Sequence, residues 1–350
     1  MPKALNISID ADFELMSRLP LIDVRSPGEY AKGRIPGAVN VPLFNDEERA
    51  VVGTLYKQKG KQAAITKGLD IVGPKMTQIA RDILALANNG PVVIHCWRGG
   101  MRSGSVAWLM EVYGLTVYTV RAGYKAFRNL STQVYAHKPW QALILGGKTG
   151  SAKTLVLEQL QANGQQVLNL EKLACHKGSA FGSLGEKAQP TQEQFENELI
   201  WWWKKADAGK PIWLEDESRM IGNKVIPEGL WNLMRQAHLI HVDLPLQERI
   251  DYLTKEYGAF EPHELQQAIE RIGKRLGPQH MKEAISSLQN GNLRRTCEIC
   301  LVYYDKSYGY GVAQRPPETV QHIHFEKIDP LYMASELVHA SRHLLKDGND

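Results

Sequence analysis

Two hydrophobic periods alternate along this chain. Short apolar runs bounded by turn residues read as buried strands. In the first half these are Pro20-Leu21-Ile22-Asp23-Val24, Pro91-Val92-Val93-Ile94 and Leu115-Thr116-Val117-Tyr118-Thr119-Val120. In the second half they are Ala142-Leu143-Ile144-Leu145, Pro211-Ile212-Trp213-Leu214, Leu239-Ile240-His241-Val242 and 320–325. Between them apolar residues recur at helical spacing: Ile79, Ile83, Leu84 and Leu86 within 76–87, and Leu265, Ile269, Ile272 and Leu276 within 263–276. Pro27-Gly28-Glu29-Tyr30 starts a short helix that stops near Gly33, and 103–110 reads as another. Alternation of strand and helix predicts parallel-sheet α/β architecture. The polar stretch from Ser131 to Trp140, with His137, Lys138 and Pro139, reads as a boundary. It divides the chain into an N-terminal parallel-sheet domain, residues 1–133, and a second α/β domain, residues 134–350, with a helical C-terminal part.

Length agrees with two domains: 350 residues, 43% apolar and 23% charged, support substantial cores. Cys96, Cys175, Cys297 and Cys300 are too few for a disulfide framework and read as reduced thiols. No cationic and apolar leader opens the chain, and no run reaches ~18 apolar residues, so a cytoplasmic location and no membrane partner are expected. The net charge of +4 is uneven. Residues 1–140 hold 18 Lys and Arg against 11 Asp and Glu, whereas residues 141–350 hold 24 against 27. A basic N-terminal half suits an anionic partner such as RNA.

Chemistry concentrates in Cys96-Trp97-Arg98-Gly99-Gly100-Met101-Arg102. The run follows a buried strand and opens a helix, so its backbone N–H groups converge on the loop. Arg98 and Arg102 add positive charge, and Gly99 and Gly100 let the backbone turn tightly. A thiol there has a lowered pKa and serves as a nucleophile beside an anion site. His95-Cys96 through Arg102-Ser103 is also a literal H-C-x5-R-S, the signature of cysteine-dependent phosphatases. The loop by itself leaves sulfur or selenium transfer and phosphate chemistry both open.

A second constellation is Gly147-Lys148-Thr149-Gly150-Ser151-Ala152-Lys153-Thr154, after a strand and before a helix. It nearly matches G-x4-G-K-[ST], in which backbone N–H groups cradle phosphates. Gly147, Gly150, Ser151, Lys153 and Thr154 are the candidate phosphate-binding residues, with Thr154 placed to contact Mg²⁺. Ala152 stands where glycine is expected, which favours polyphosphate binding over hydrolysis. Glu215 and Asp216 end the strand 211–214, where P-loop proteins carry a Mg²⁺-positioning carboxylate. His176-Lys177-Gly178-Ser179 and Arg219 supply further anion or nucleic-acid contacts, through His176, Lys177, Ser179 and Arg219. No resident metal site is assigned. The lone Cys297-x-x-Cys300 reads as two packed helical cysteines, and Trp201-Trp202-Trp203 cannot form one helical face.

Asp23-Val24-Arg25 with Pro27-Gly28-Glu29-Tyr30, then Gly33-Arg34-Ile35-Pro36-Gly37-Ala38-Val39-Asn40-Val41-Pro42, then the Cys96 loop resemble the rhodanese domain over residues 8–130, with Asp23 as a further candidate site residue. Arg34 stands where many rhodaneses have His. Together with the altered P-loop, the 176–182 segment and Glu217-Ser218-Arg219-Met220-Ile221-Gly222, the chain resembles bacterial tRNA 2-selenouridine synthases. That resemblance implies a tRNA-modifying transferase acting at the anticodon wobble position. It implies geranyl diphosphate and selenophosphate as co-substrates, and it admits a selenophosphate-supplying enzyme as a partner. The competing reading is a cysteine-dependent phosphatase or sulfurtransferase fused to a nucleotide-binding module.

Overall fold

The computed structural model describes residues 4–132 and 140–345. The central part of the expected boundary stretch, His137 to Pro139, lies outside the described residues. The chain forms two compact units: Met1–Val134 with Glu193–Lys205, and Tyr135–Gln192 with Ala206–Asp350.

The first unit is built on five parallel strands, β1 (Leu5–Ile7), β2 (Leu21–Asp23), β3 (Val39–Asn40), β4 (Val92–His95) and β5 (Val117–Val120). They lie in the order β1-β5-β4-β2-β3. Side chains alternate across β4, as a strand requires. Val92 and Ile94 pack with Ile22, Ile79, Ile83, Val106 and Met110 on one face. Val93 packs with Ile7, Met16, Val120, Phe127 and Ile200 on the other. Ile200 comes from the helix Gln192–Lys205, distant in sequence. That helix is fastened by polar side chains: Gln194 accepts from the Arg34 N–H, and Asn197 donates to the Arg34 carbonyl and to Tyr124. Trp203 is buried, and Trp201 packs edge-on against Phe13. A 27-residue helical segment, Asp46–Val72, has no clear apolar period and breaks at Gly60, whose φ is 87°. It exposes Lys57, Lys59, Lys61 and Lys67, a large share of the N-terminal basic excess.

The second unit has five parallel strands, β6 (Ala142–Gly147), β7 (Gln166–Leu168), β8 (Ile212–Glu215), β11 (His238–Asp243) and β12 (Val320–His324), with the short antiparallel pair β9 (Met220–Ile221) and β10 (Lys224–Val225) beside them. The order is β12-β11-β6-β8-β7. β6 is central, and the chain leaves it toward β7 on one side and later crosses to β11 on the other. Ligands in such sheets bind beyond the carboxyl ends of the strands at this reversal. Leu143, Leu145, Trp213, Ile240 and Val242 form the sheet's core with Val156, Leu160 and Leu337 from flanking helices. The expected helix spans Pro262–Leu276, opened by a Glu261–Glu264 capping box. Its face of Leu265, Ile269, Ile272 and Leu276 packs with Leu288, Ile299 and Cys300 of two later helices, Pro278–Gln289 and Leu293–Val312. No described helix is long and apolar enough to cross a membrane.

Candidate functional site

In the first unit Cys96 follows β4, the central strand, and precedes the helix Met101–Val112. The loop between them is pinned to the turn after β5, where Tyr124 N–H donates to the Cys96 carbonyl at 2.9 Å and Lys125 N–H to the Trp97 carbonyl at 3.0 Å. Gly99 and Gly123 both have positive φ, and a Cβ on either would overlap the facing backbone. Glycine is therefore required at both places for the two segments to approach.

The Cys96 sulfur is 3.3 Å from Ser103 Oγ. Burial pushes its pKa up, but the Ser103 hydroxyl and the N–H groups of Ser103, Arg98 and Gly100 outweigh burial and bring it below the ordinary thiol value. Cys96 itself is 3% exposed, beneath a loop whose Arg98, Gly99 and Gly100 are exposed. The Ser103 hydroxyl and the backbone N–H groups, rather than guanidinium groups, are what lower the Cys96 pKa. Arg102 turns away to Glu29, with Nη1 2.7 Å from Oε2, and Glu29 in turn closes the capping box of the helix Pro27–Lys32.

Asp23 lies fully buried in a bidentate pair with Arg25, whose Nη2 is 2.5 Å from Oδ2. Arg25 also donates to the Gly33 carbonyl at 2.7 Å and lies 3.9 Å from the Tyr124 ring centroid. His95, fully buried, has Nε2 3.8 Å from Asp23 Oδ2, and burial lowers its pKa. The first-unit carboxylate singled out from sequence thus sits in a buried ion pair on β2, the strand beside the one that ends at Cys96.

In the second unit the P-loop leaves β6 and opens the helix Lys153–Ala162. Gly150 has φ 86°, and a Cβ there would meet the Arg249 carbonyl. Ala152 adopts left-handed angles, φ 53° and ψ 29°, with its methyl buried. The alanine follows the glycine-like backbone path at a conformational cost of about 1–2 kcal/mol. Lys153 Nζ donates to the Gly147 carbonyl at 2.8 Å, and Thr154 Oγ1 donates to Glu171 Oε2 at 3.0 Å. Ser151 Oγ is buried with no hydrogen-bond partner.

Several residues around this loop escaped the sequence reading because they arrive from distant helices. Buried Arg249 makes a bidentate pair with Asp305 at 2.7 and 2.8 Å and donates to the Thr149 carbonyl. Tyr308 accepts from the Gly147 N–H at 2.8 Å and donates to Asp216 at 3.0 Å. Asp216 also pairs with Arg315 at 3.1 Å. Glu215 is fully buried and accepts from the Leu170 N–H at 2.9 Å. Burial first, then the neighbouring Glu171, push its pKa up to about 8. Glu217 is raised for the same two reasons, with Lys153 opposing.

These groups open onto a cleft of ≈ 780 Å³ whose lining joins the P-loop to Lys177, Ser179, Arg219, Arg235 and Arg275, with Trp231, Tyr252, Tyr303 and Tyr304 interleaved. Lys177 is paired with Glu256 at 2.6 Å, and Ser179 Oγ accepts from the Phe181 N–H. His176 packs under Gly182 beside the cleft, and burial lowers its pKa. A small apolar pouch of ≈ 30 Å³, bordered by Thr149, Phe181, Leu253, Leu265 and Cys300, shares Tyr257 and Tyr304 with the cleft. Cys297 and Cys300 are buried helical thiols with pKa values pushed up to about 11 and 12.

The family model described as tRNA 2-selenouridine synthase AAA domain matches residues 140–335. The rhodanese-like domain model matches residues 10–130. Among solved structures, the N-terminal domain of a putative ATP/GTP binding protein from Clostridium difficile 630 is 42% identical, covering 37% of this chain and 98% of that one, with a TM-score of 0.33. A rhodanese-related protein from Thermoplasma volcanium is 18% identical, covering 35% of this chain and 88% of that one, with a TM-score of 0.22.

Proposed function

The chain belongs to the tRNA 2-selenouridine synthase family, so it is an enzyme acting on tRNA, and on that premise we propose a two-stage reaction with one stage for each unit. In the first stage the sulfur of a wobble 2-thiouridine attacks C1 of geranyl diphosphate. The C–O bond breaks, and diphosphate leaves with the electron pair. In the second stage the selenium of selenophosphate attacks C2 of the base, the C2–S bond breaks, and the geranylated sulfur leaves with the electron pair and takes a proton to depart as a thiol; water then cleaves the P–Se bond and releases phosphate. Alkylation matters because an unmodified sulfur would have to leave as an anion.

The observation that carries this reading is the P-loop at the edge of a large cleft that mixes cations with aromatic rings. Lys153 and the loop N–H groups suit a departing diphosphate, whose growing negative charge they stabilise. The oxygens of Thr154, Glu171 and Glu217 form a hard donor set beside Lys153 that fits Mg²⁺. When bound, Mg²⁺ would neutralise part of the diphosphate charge. Arg219, Arg235 and Arg275 suit tRNA phosphates, and Trp231 and Tyr303 suit stacking of an unpaired anticodon base. The pouch beside Thr149 is the apolar surface that meets the P-loop. It has room for about one water, so a prenyl chain enters by displacing the Tyr257 and Tyr304 rings. Cys96, whose ionisation is favoured by the Ser103 hydroxyl and the loop N–H groups, serves the selenium stage, for which selenophosphate is supplied by a partner enzyme.

The test is mass analysis of wobble nucleosides in cells lacking the gene and complemented by variants. Cys96→Ala should abolish 2-selenouridine while S-geranyl-2-thiouridine still forms. Lys153→Ala should cut geranylation. Loss of geranylation in the cysteine variant, or normal geranylation in the lysine variant, refutes the division of labour.

A further inference from the structure

At the outer edge of the second unit's sheet lies a cluster that the cleft does not use. β11 and β12 pair in parallel with His241 opposite His322 and Asp243 opposite His324. Residues two apart on a strand share a face, so register alone gathers three imidazoles and a carboxylate on one side of this strand pair. His322 Nδ1 is 2.7 Å from one Asp243 oxygen, and His241 Nδ1 is 3.2 Å from the other. The two rings are 4.8 Å apart between centroids. One donor atom from each of His241, Asp243 and His322 lies within 4.8 Å of the other two.

Two features distinguish this from an ordinary surface ion pair. His241 is 3% exposed, and its Nδ1 faces the Asp243 carboxylate from inside the sheet at 3.2 Å. His322 is exposed and Asp243 partly so, which gives an ion a path from solvent.

We propose that His241, Asp243 and His322 bind one divalent transition-metal ion of the zinc class through two imidazole nitrogens and a carboxylate oxygen. Imidazole donors select zinc, nickel, cobalt or copper over magnesium and calcium. Three protein ligands leave a fourth tetrahedral position for water or for His324, which faces Asp243 across the strand pair. The ion would tie the outer strand β12 to β11. His241 is in register with Gly146 of β6, one residue before the P-loop begins, so the clamp would border the strand that carries the phosphate site.

The experiment uses the full chain, stripped by chelation and titrated with Zn²⁺ alone by calorimetry, with Co²⁺ absorption as a second readout. One equivalent should bind, without a thiolate-to-cobalt charge-transfer band, and Mg²⁺ in excess should not displace it. His322→Ala and Asp243→Asn should each weaken that binding about tenfold or more. His322 is exposed, so its variant should keep the native circular-dichroism spectrum. Absence of stoichiometric uptake, retention of the equivalent in either variant, or a thiolate band assigning the ion to cysteine would each overturn the proposal.

Discussion

Tyr308 Oη lies 2.8 Å from the Gly147 nitrogen, so a phenol occupies the first amide of the P-loop. The same hydroxyl donates to Asp216. A helix more than 150 residues downstream therefore braces the start of the loop. In Tyr308→Phe the Gly147 N–H loses its acceptor, which should cost about 1–3 kcal/mol of stability. If phosphate oxygens use this amide, pyrophosphate should raise the thermal midpoint of the variant by more than that of the parent. Equal ligand-induced shifts in the two proteins would show that the phenol stays on Gly147 in the bound state.

Ser103 Oγ is the side-chain hydrogen-bond partner of Cys96 Sγ, at 3.3 Å, and it also donates to the Gly100 carbonyl. Burial favours the neutral thiol, and the Ser103 hydroxyl is the largest of the opposing effects. Ser103→Ala should raise the thiol pKa, so selenium incorporation should need higher pH. The pH midpoint of the selenation rate should move up, with geranylation unchanged. A midpoint that stays in place would mean that the backbone N–H groups of Arg98 and Gly100 alone set the ionisation.

Asp23 and Arg25 form a buried pair at the end of β2, beside the strand that leads to Cys96. Removing one member leaves the other charge stranded, at about 3–5 kcal/mol. Asp23→Asn should therefore lower the melting temperature of the first unit sharply. Burial opposes ionisation of Asp23, but His95 and Arg25 hold its pKa below 3.8. Its stabilising contribution is present above pH 3.8 and is lost as pH falls through the lower folded value. A variant with normal melting and no selenation would instead mark Asp23 as a participant in the chemistry.

Each site was legible in the sequence where its chemistry is contiguous. Seven residues around Cys96 and eight around Lys153 carry their backbone donors with them, and a strand–loop–helix context follows from periodicity. The groups that brace those loops were not legible. Tyr308, Arg249 and Asp305 reach the P-loop through helix packing, and Arg315 reaches Asp216 across 99 residues. The helix Gln192–Lys205 escaped for another reason: Gln194 and Asn197 are buried polar residues, satisfied by Arg34 and Tyr124. The contiguous division at 133/134 drawn from the polar stretch gave no sign that Glu193–Lys205 groups with the first unit. His241 and His322 met only through the register of β11 and β12, which no local pattern specifies. Conversely, Arg102 was legible as a cation but not as the partner of Glu29.

Glu215 gives the clearest pH signature. Burial and the nearby Glu171 raise its pKa to about 8, against 4.5 in an unfolded chain. At neutral pH the folded protein keeps this carboxyl protonated, whereas the unfolded chain ionises it. Proton binding then favours the folded state, so the stabilising contribution is complete below pH 4.5 and drains away as pH rises through about 8. Glu215→Gln retains an oxygen to accept from the Leu170 N–H and cannot ionise. Its urea midpoint should match the parent near pH 5 and exceed it at pH 8.5. Glu171→Gln should make the parent's loss of stability smaller and end it at lower pH, because removing the neighbouring negative charge brings the folded pKa of Glu215 down toward its unfolded value. Parallel pH profiles for the parent and Glu215→Gln would show that the carboxyl is already ionised in the folded protein, with a cation beside it.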